Sequence, residues 1–180
     1  MMTVKMAERI VEIPAGVRVE LSGRTVKVTG PKGTLREDLT HLPVNLNLEE
    51  GRLRVTVAWP RKREYAMAGT AAAHLRNMVK GVTEGFRYRL RMVHAHFPIT
   101  VKVRQDQKLI LIENFTGERS PRTARIIGDA DVKVSGDEIV VEGADLRDVS
   151  QTAANIESAT KIKDKDQRVF LDGIYITEKA

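Results

Sequence analysis

The sequence predicts an α+β fold built by tandem duplication, with two similar units that are each an antiparallel β-sheet with one helix packed on it. Two observations indicate the sheets and helices: short runs alternate between apolar and polar residues, and each half contains one longer apolar pattern with helical spacing. A third indicates duplication, because apolar residues recur at a constant offset of 84 without a gap. Matching pairs include Ile13-Pro14 with Phe97-Pro98, Val26 and Val28 with Ile110 and Ile112, and Leu90 and Met92 with Ile174 and Ile176.

The offset divides the 180 residues into a first unit, 1–93, and a second unit, 94–180, joined by a short stiff linker around His94-Ala95-His96. Each unit has the size of a small domain and can bury a modest core. The predicted last strand of the second unit, 169–177, repeats the pattern of 85–93. That likeness predicts that each unit closes with a strand after its helix.

In the first unit we predict strands at 8–13, 17–21, 25–29, 45–48 and 53–57, with turns at Gly23, at Gly30-Pro31-Lys32-Gly33 and at Gly51. After Pro60 the period changes to that of a helix. Its apolar stripe is formed by Tyr65, Ala68, Ala72, Leu75 and Val79, and Gly81 is the predicted end of the helix.

The second unit repeats this order. Strands are predicted at 100–104, 108–113, 132–134 and 138–142, with a loop over residues 114–125. Asp145 is the predicted N-cap of a helix whose stripe is Leu146, Val149, Ala153, Ile156 and Ala159.

Composition excludes several protein classes. There are no cysteines, so disulfides and thiolate metal sites are excluded, and no apolar run or leader-like segment indicates a membrane span or a secretory signal. We therefore expect a soluble intracellular protein without a small-molecule substrate. The net charge of +6 and a pI of about 9.7 favour a polyanionic partner, most often nucleic acid. Residues 1–93 contain 17 Lys and Arg against 9 Asp and Glu, whereas 94–180 contain 13 against 15.

Basic clusters lie in predicted loops, where a sheet can present them to phosphates. They are Arg61, Lys62 and Arg63 before the first helix; Arg119, Arg122 and Arg125; and Lys161, Lys163, Lys165 and Arg168 before the last strand. Each could equally be a solvated loop. With only 4% aromatic residues, the sequence favours recognition of folded RNA by shape and phosphate contacts over stacking of single-stranded bases on a sheet.

Other polar groups indicate no chemistry. His94 and His96 could point the same way and bind a metal, but without cysteine or a nearby third ligand the sequence does not favour a metal site, and His41 and His74 are interpreted as surface or packing histidines. Residues 30–34 lack the spacing of a phosphate-binding loop, and a turn explains them better. Asp164, Asp166 and Asp172 alternate with lysines and arginine, which predicts local ion pairs. No nucleophile, base and orienting group form a set, so we predict no catalysis, metal or cofactor.

The chain closely resembles the large-subunit ribosomal protein six family. The resemblance is carried by residues 151–179, which read QTAANI and then KIKDKDQRVFLDGIYITEK from 161, and by IPAGV at 13–17, GPKG at 30–33 and ENFTGE at 113–118. It covers essentially the whole chain. The type is archaeal or eukaryotic, because the bacterial PYKGKGIRY motif is replaced by KDQRVFLDG, so the contacts of that motif cannot be transferred.

The resemblance implies two tandem repeats, of which chiefly the second contacts large-subunit rRNA near the sarcin-ricin loop and the stalk base, in a cytoplasmic ribosome. Neighbouring stalk-base proteins and translational GTPases are the implied partners. By position the RNA-facing elements resemble residues 114–125, the region around Gln151 and Asn155, and residues 161–168. Lys32, Arg61, Lys62 and Arg63 are secondary candidates for contacts with RNA or protein.

Two other functions are possible from the sequence. A free RNA-binding regulator or translation factor would favour aromatics for single strands or a nucleotide pocket, and neither is evident. An RNA-processing enzyme would need catalytic residues that the sequence does not present. A structural rRNA-binding protein is therefore the preferred hypothesis.

Overall fold

The computed structural model describes residues 6–163, 166 and 168–180, and within them the chain divides into two compact units, 1–85 and 86–180. The division falls before Phe86, not after Val93, because the strand that begins at Phe86 pairs only with strands of the second unit. The predicted boundary at residue 93 therefore gave this strand to the wrong unit.

The described residues of the first unit form six strands and one helix. They are β1 (Met6–Glu12), β2 (Arg18–Ser22), β3 (Thr25–Gly30), β4 (Gly33–Asp38), β5 (Asn45–Glu49), β6 (Arg52–Ala58) and α1 (Lys62–Thr83). The strands form two antiparallel sheets, ordered β1-β6-β5 and β2-β3-β4, and α1 packs on strands of both. Alternation places Val26 and Val28 of β3 and Leu53 and Val55 of β6 in the core.

Helix α1 continues past Gly81, which is buried inside it, and ends at Thr83. The end is closed at Gly85, which takes a left-handed φ of 75° and donates its backbone N–H to the carbonyl of Lys80. A glycine in this conformation is the usual C-terminal signal of a helix. The predicted stop at Gly81 is thus wrong, and the second glycine ends the helix.

In the part of the second unit that the structure describes, there are seven strands and one α-helix. They are β7 (Phe86–Val93), β8 (Thr100–Arg104), β9 (Leu109–Glu113), β10 (Arg122–Arg125), β11 (Asp131–Ser135), β12 (Glu138–Gly143), α2 (Leu146–Ala159) and β13 (Gly173–Lys179). The sheets are β10-β9-β8 and β11-β12-β7-β13, and α2 packs on strands of both. Its N-cap is Asp145, as predicted, whose side chain accepts a hydrogen bond from the backbone N–H of Arg147.

The duplication is confirmed in three dimensions. The sheet β8-β9-β10 corresponds to β2-β3-β4, and the strands β11-β12-β7 correspond to β5-β6-β1. The offset of 84 residues is kept, because β9 begins 84 residues after β3 and α2 begins 84 residues after α1. The strand β13 is additional and pairs antiparallel with β7, with Ile176 opposite Leu90 and Ile174 opposite Met92. The two segments that resemble each other are therefore neighbours in one sheet, and the first unit does not close with a strand after its helix.

No helix among the described residues is both long and apolar enough to span a membrane.

Candidate RNA interface

Two of the predicted RNA-binding arginines lie on a strand, although residues 114–125 were predicted to be a loop. Strand β10 pairs with β9, with Ala124 opposite Ile110, and both of these residues are buried in the core. The sequence of β10, Arg-Thr-Ala-Arg, has only one apolar position, which is too short a pattern to predict a strand. Arg122 and Arg125 are thus held at the ends of a sheet edge.

Arg122 is a brace within the protein. Its guanidinium donates to both carboxylate oxygens of Glu118, at 2.9 and 2.6 Å, and Nη1 donates to the carbonyls of Ala159 and Lys161 at 2.9 and 3.1 Å. The guanidinium carbon also lies 4.3 Å from the centre of the Phe115 ring. The hydrogen bonds to Glu118 raise the pKa of Arg122 above its already high ordinary value, although partial burial acts in the opposite direction. These contacts favour an internal role for Arg122 over a phosphate contact.

The other end of β10 is joined to α2 by the side chain of Asn155. Its Nδ2 donates to the carbonyl of Arg125 at 2.9 Å, and its Oδ1 accepts from Nε2 of Gln151 at 2.9 Å. One turn earlier on the helix, Thr152 Oγ1 accepts from the backbone N–H of Ile127 at 2.9 Å. The predicted pair Gln151 and Asn155 therefore lies beside Arg125, with Asn155 committed to positioning the strand.

The remaining predicted cations are exposed around this braced strand. Arg119, Arg125, Lys161 and Lys163 are all exposed, and none forms an ion pair in the part of the chain that the structure describes. Because Arg122 binds the carbonyl of Lys161, the start of β10 and the segment after α2 are held together, and their cations with them. We define these four residues as the basic edge of the second unit.

Arg168 differs from the basic edge because its guanidinium pairs with both carboxylate oxygens of Asp166, at 3.2 and 3.1 Å, although its side chain is 90% exposed. This is the local ion pairing predicted for that segment, and hydrogen bonds from Arg168 lower the pKa of Asp166. Asp164 and Lys165, also predicted as parts of this segment, lie outside the described residues.

Asp172 does not follow the predicted pattern of local ion pairing. Its carboxylate is 1% exposed, accepts hydrogen bonds from the backbone N–H groups of Ala95 and His96, and lies 2.7 Å from Nδ1 of His96. Burial opposes its ionisation, but the His96 side chain and the two backbone amides outweigh burial, so the pKa of Asp172 lies below its usual value. The His96 ring also stacks on Phe170, with centroids 5.2 Å apart. These hydrogen bonds and the ring stacking hold the segment that leads into β13 against residues 95–96.

A pocket of about 340 Å³ opens next to the basic edge, between the end of α2 and β13. It is lined by Glu157, Ser158, Thr160, Lys161, Ile162, Phe170 and Tyr175. Its floor is rigid because Thr160 Oγ1 accepts from the backbone N–H of Ile174 at 3.0 Å and donates to the carbonyl of Glu157 at 3.1 Å. No group of three or more metal-binding side chains occurs among the described residues.

The secondary candidates in the first unit lie in two places. Arg61, Lys62 and Arg63 are exposed at the start of α1, whereas Lys32 donates to the carbonyl of Glu84, just after the end of α1. A 22-residue helix is about 33 Å long, so Lys32 cannot share one small site with the other three.

Comparison with known proteins gives the family. The model of the family described as Ribosomal protein L6 matches residues 13–85 and 97–173, one match in each unit. The chain belongs to the ribosomal protein L6 family. The large ribosomal subunit protein uL6 of Staphylothermus marinus is 49% identical over 168 residues, which cover 92% of this chain and 91% of that protein.

Two further uL6 proteins match this chain over almost their full length. That of Methanothrix thermoacetophila is 47% identical over 177 residues, covering 97% of this chain and 99% of the relative. That of Methanosarcina mazei is 49% identical over 177 residues, covering 98% and 99%. These archaeal relatives confirm the predicted family and its archaeal or eukaryotic type. Membership of the ribosomal protein L6 family, whose members are structural parts of the ribosome, also agrees with the prediction that the chain is not an enzyme.

Proposed function

We propose that this structural protein of the large ribosomal subunit braces rRNA near the sarcin-ricin loop and the stalk base, beside stalk-base proteins and the site where translational GTPases bind. Its place in the cytoplasmic ribosome follows from the family, and its relatives are named as proteins of the large ribosomal subunit. In this proposal the basic edge of the second unit is the main RNA contact. Lys32 and the cations at the start of α1 are secondary contacts.

The observation that carries this proposal is the braced basic edge. Four cations that have no carboxylate partner among the described residues lie on or next to β10 and the end of α2, which the side chains of Arg122 and Asn155 join together. A backbone that is already held in place beneath the cations suits the fixed phosphates of a folded RNA, because little backbone freedom is lost on binding. Arginine at positions 119 and 125 can also contact a phosphate through two N–H groups.

Several other cations of the second unit are already paired with carboxylates. On the sheet β11-β12-β7-β13, Arg87 lies 2.5 Å from Glu142, and Arg89 lies 3.2 Å from Glu178. Such pairs release no counterions when RNA approaches, so they contribute little to affinity. This contrast supports the basic edge over Arg87 and Arg89 of β7 as the contact surface.

The proposal is tested by measuring rRNA affinity as a function of salt. The four cations of the basic edge should contribute about −3 to −4 to the slope of log K against log salt, and the secondary contacts should add to it. Replacing Arg125 or Lys161 with glutamine should reduce the magnitude of the slope by about 1 each. Arg87→Gln is the matched control, since Arg87 is paired with Glu142, and its slope should match that of the unchanged protein.

The location requires a second experiment. Assembled large subunits with and without the protein are probed chemically along the rRNA, and protection should be concentrated at the sarcin-ricin loop and the stalk base. Sedimentation in sucrose gradients at low and high salt provides the comparison with a free regulator. Co-migration with the large subunit at both salt concentrations is expected, whereas release at high salt would indicate a peripheral RNA-binding factor.

A further inference from the structure

Trp59 lies on the surface of the first unit in an unusual conformation. Its side chain is 65% exposed, and its φ is 48°, in the left-handed region. Large residues rarely adopt this conformation, and holding one there costs about 1–3 kcal/mol. No gain from burial offsets this cost within the unit, because most of the indole faces solvent. A surface role for the indole would explain why tryptophan occupies this position.

Three cationic residues follow Trp59 closely in the sequence. Pro60 follows Trp59, and Arg61, Lys62 and Arg63 come next, all of them exposed. None of the three forms an ion pair among the residues that the structure describes, and the neighbouring Glu64 uses its carboxylate to accept from the backbone N–H of Arg61 at 2.5 Å. The segment therefore presents an exposed ring beside three cations that have no carboxylate partners.

A second aromatic residue lies one helical turn further on. Tyr65 is 43% exposed and lies about 6 Å along the helix axis from Arg61. The guanidinium of Arg9 lies 4.9 Å from the centre of the Tyr65 ring and donates to its hydroxyl at 2.7 Å. The surface formed by Arg9 and residues 59–65 thus combines two exposed rings with four cations. We call it the Trp59 surface.

We propose that the Trp59 surface binds an unpaired segment of rRNA, with one nucleobase stacked on the indole and the flanking phosphates on Arg61, Lys62 and Arg63. The inference rests on the proposed rRNA-binding function and adds a specific contact on the first unit. Stacking on aromatic side chains together with cations that follow the backbone is how proteins hold unstacked bases. RNA is favoured over a protein partner because Arg61, Lys62 and Arg63 have no carboxylate partner among the described residues, and consecutive phosphates can pair with all three.

The composition of the chain provides a direct probe, because Trp59 is its only tryptophan. The full-length protein is titrated with deproteinised large-subunit rRNA while tryptophan emission is recorded, and filter retention measures binding independently. Stacking should quench the emission with the same midpoint as filter retention and should shield the indole from iodide. Unchanged emission on protein that filter retention shows to be bound would overturn the inference and leave the proposed function intact. Failure to bind rRNA at all would overturn both.

Substitution separates stacking from folding. Trp59→Gly removes the ring and suits the left-handed φ, so its thermal midpoint should equal or exceed that of the unchanged protein. Its rRNA affinity should nevertheless fall about tenfold, as expected for loss of one stacked base, and Trp59→Phe should retain part of the affinity. The control is Leu48→Ala, which trims an exposed side chain of β5 in the same unit and should leave affinity unchanged. Equal affinities for Trp59→Gly and the unchanged protein would refute the stacking contact.

Discussion

Replacing Arg122 with alanine should destabilise the second unit. The sequence alone predicts that Arg122 is an exposed RNA contact, whose loss would leave stability unchanged. The two hydrogen bonds to main-chain carbonyls contribute about 1 kcal/mol each. The pair with Glu118 adds at most about 1 kcal/mol, since that carboxylate is 39% exposed, and the contact with the Phe115 ring adds about 0.5–1 kcal/mol. Because neighbouring contacts do not add fully, we expect a loss of about 3 kcal/mol in the free energy of unfolding.

The measurement is urea unfolding followed by far-ultraviolet circular dichroism. With a slope of about 2 kcal/mol per M, a loss of this size lowers the midpoint of the affected transition by about 1.5 M. Arg122→Lys keeps the charge but loses the planar fork, so it should recover less than half of the lost stability. Hydrogen exchange should show reduced protection in β10 and at the end of α2, the two elements that Arg122 joins.

Arg125→Ala is the matched variant at the other end of the same strand. Arg125 is exposed and its side chain forms no ion pair among the described residues, so its loss should change stability by less than about 0.5 kcal/mol. It should instead weaken rRNA binding. If Arg122→Ala unfolds at the same urea concentration as the unchanged protein and only loses RNA affinity, Arg122 is an RNA contact and the internal role is refuted.

Two further predictions concern other buried contacts of the second unit. The pKa of Asp172 in the folded protein lies below its ordinary value of 3.8, so the ionised carboxylate stabilises the protein at pH values above 3.8. This contribution is lost as the pH falls through the lower pKa of the folded state. Asp172→Asn should therefore have a lower thermal midpoint than the unchanged protein at pH 7, and this difference should shrink on acidification. A difference that does not depend on pH would contradict the role of the charge on Asp172 beside His96. Gly128→Ala should cost about 1–2 kcal/mol more than Gly136→Ala, because both glycines have φ near +57° but only a Cβ at 128 meets the Asp148 carboxylate, at 1.8 Å. Equal unfolding midpoints for the two variants would show that Asp148 moves aside without cost.

Much of the fold was predictable because the hydrophobic pattern determines which strands are half buried. The alternation in β3 and β9 and the stripes of α1 and α2 give both the elements and the 84-residue repeat. The pattern does not specify partners, however. The strand β7 follows α1 in the chain, and pairing with β12 and β13 assigns it to the second unit, which is a long-range choice invisible to local periodicity.

The candidate site was predictable by location but not by the role of each side chain. Exposed and braced arginines look alike in sequence, and only the positions of Glu118, Phe115 and the end of α2 show that Arg122 acts inside the protein. Asp172 is similar, since its partner His96 is distant in the chain and reaches it only after β13 pairs with β7. The sole sequence signals were a histidine two residues before a proline and an aspartate before a glycine, which are too common to indicate a pair.

The correct boundary also resolves the apparent conflict between charge and RNA binding. Divided at residue 93, the sequence gives the second half more acids than bases, which is unfavourable for the half that the family resemblance assigns to rRNA. Divided at Gly85, the first unit has 14 Lys and Arg against 9 Asp and Glu, and the second has 16 against 15.

Several of the second unit's acids are also engaged in ion pairs, including Glu142 with Arg87 and Lys133. The basic edge is therefore a local concentration of unpaired charge on a nearly neutral unit, and it acts over about one Debye length of 8–10 Å. Net charge per unit is a poor guide to RNA contact here, because ion pairing decides which cations are available to phosphates.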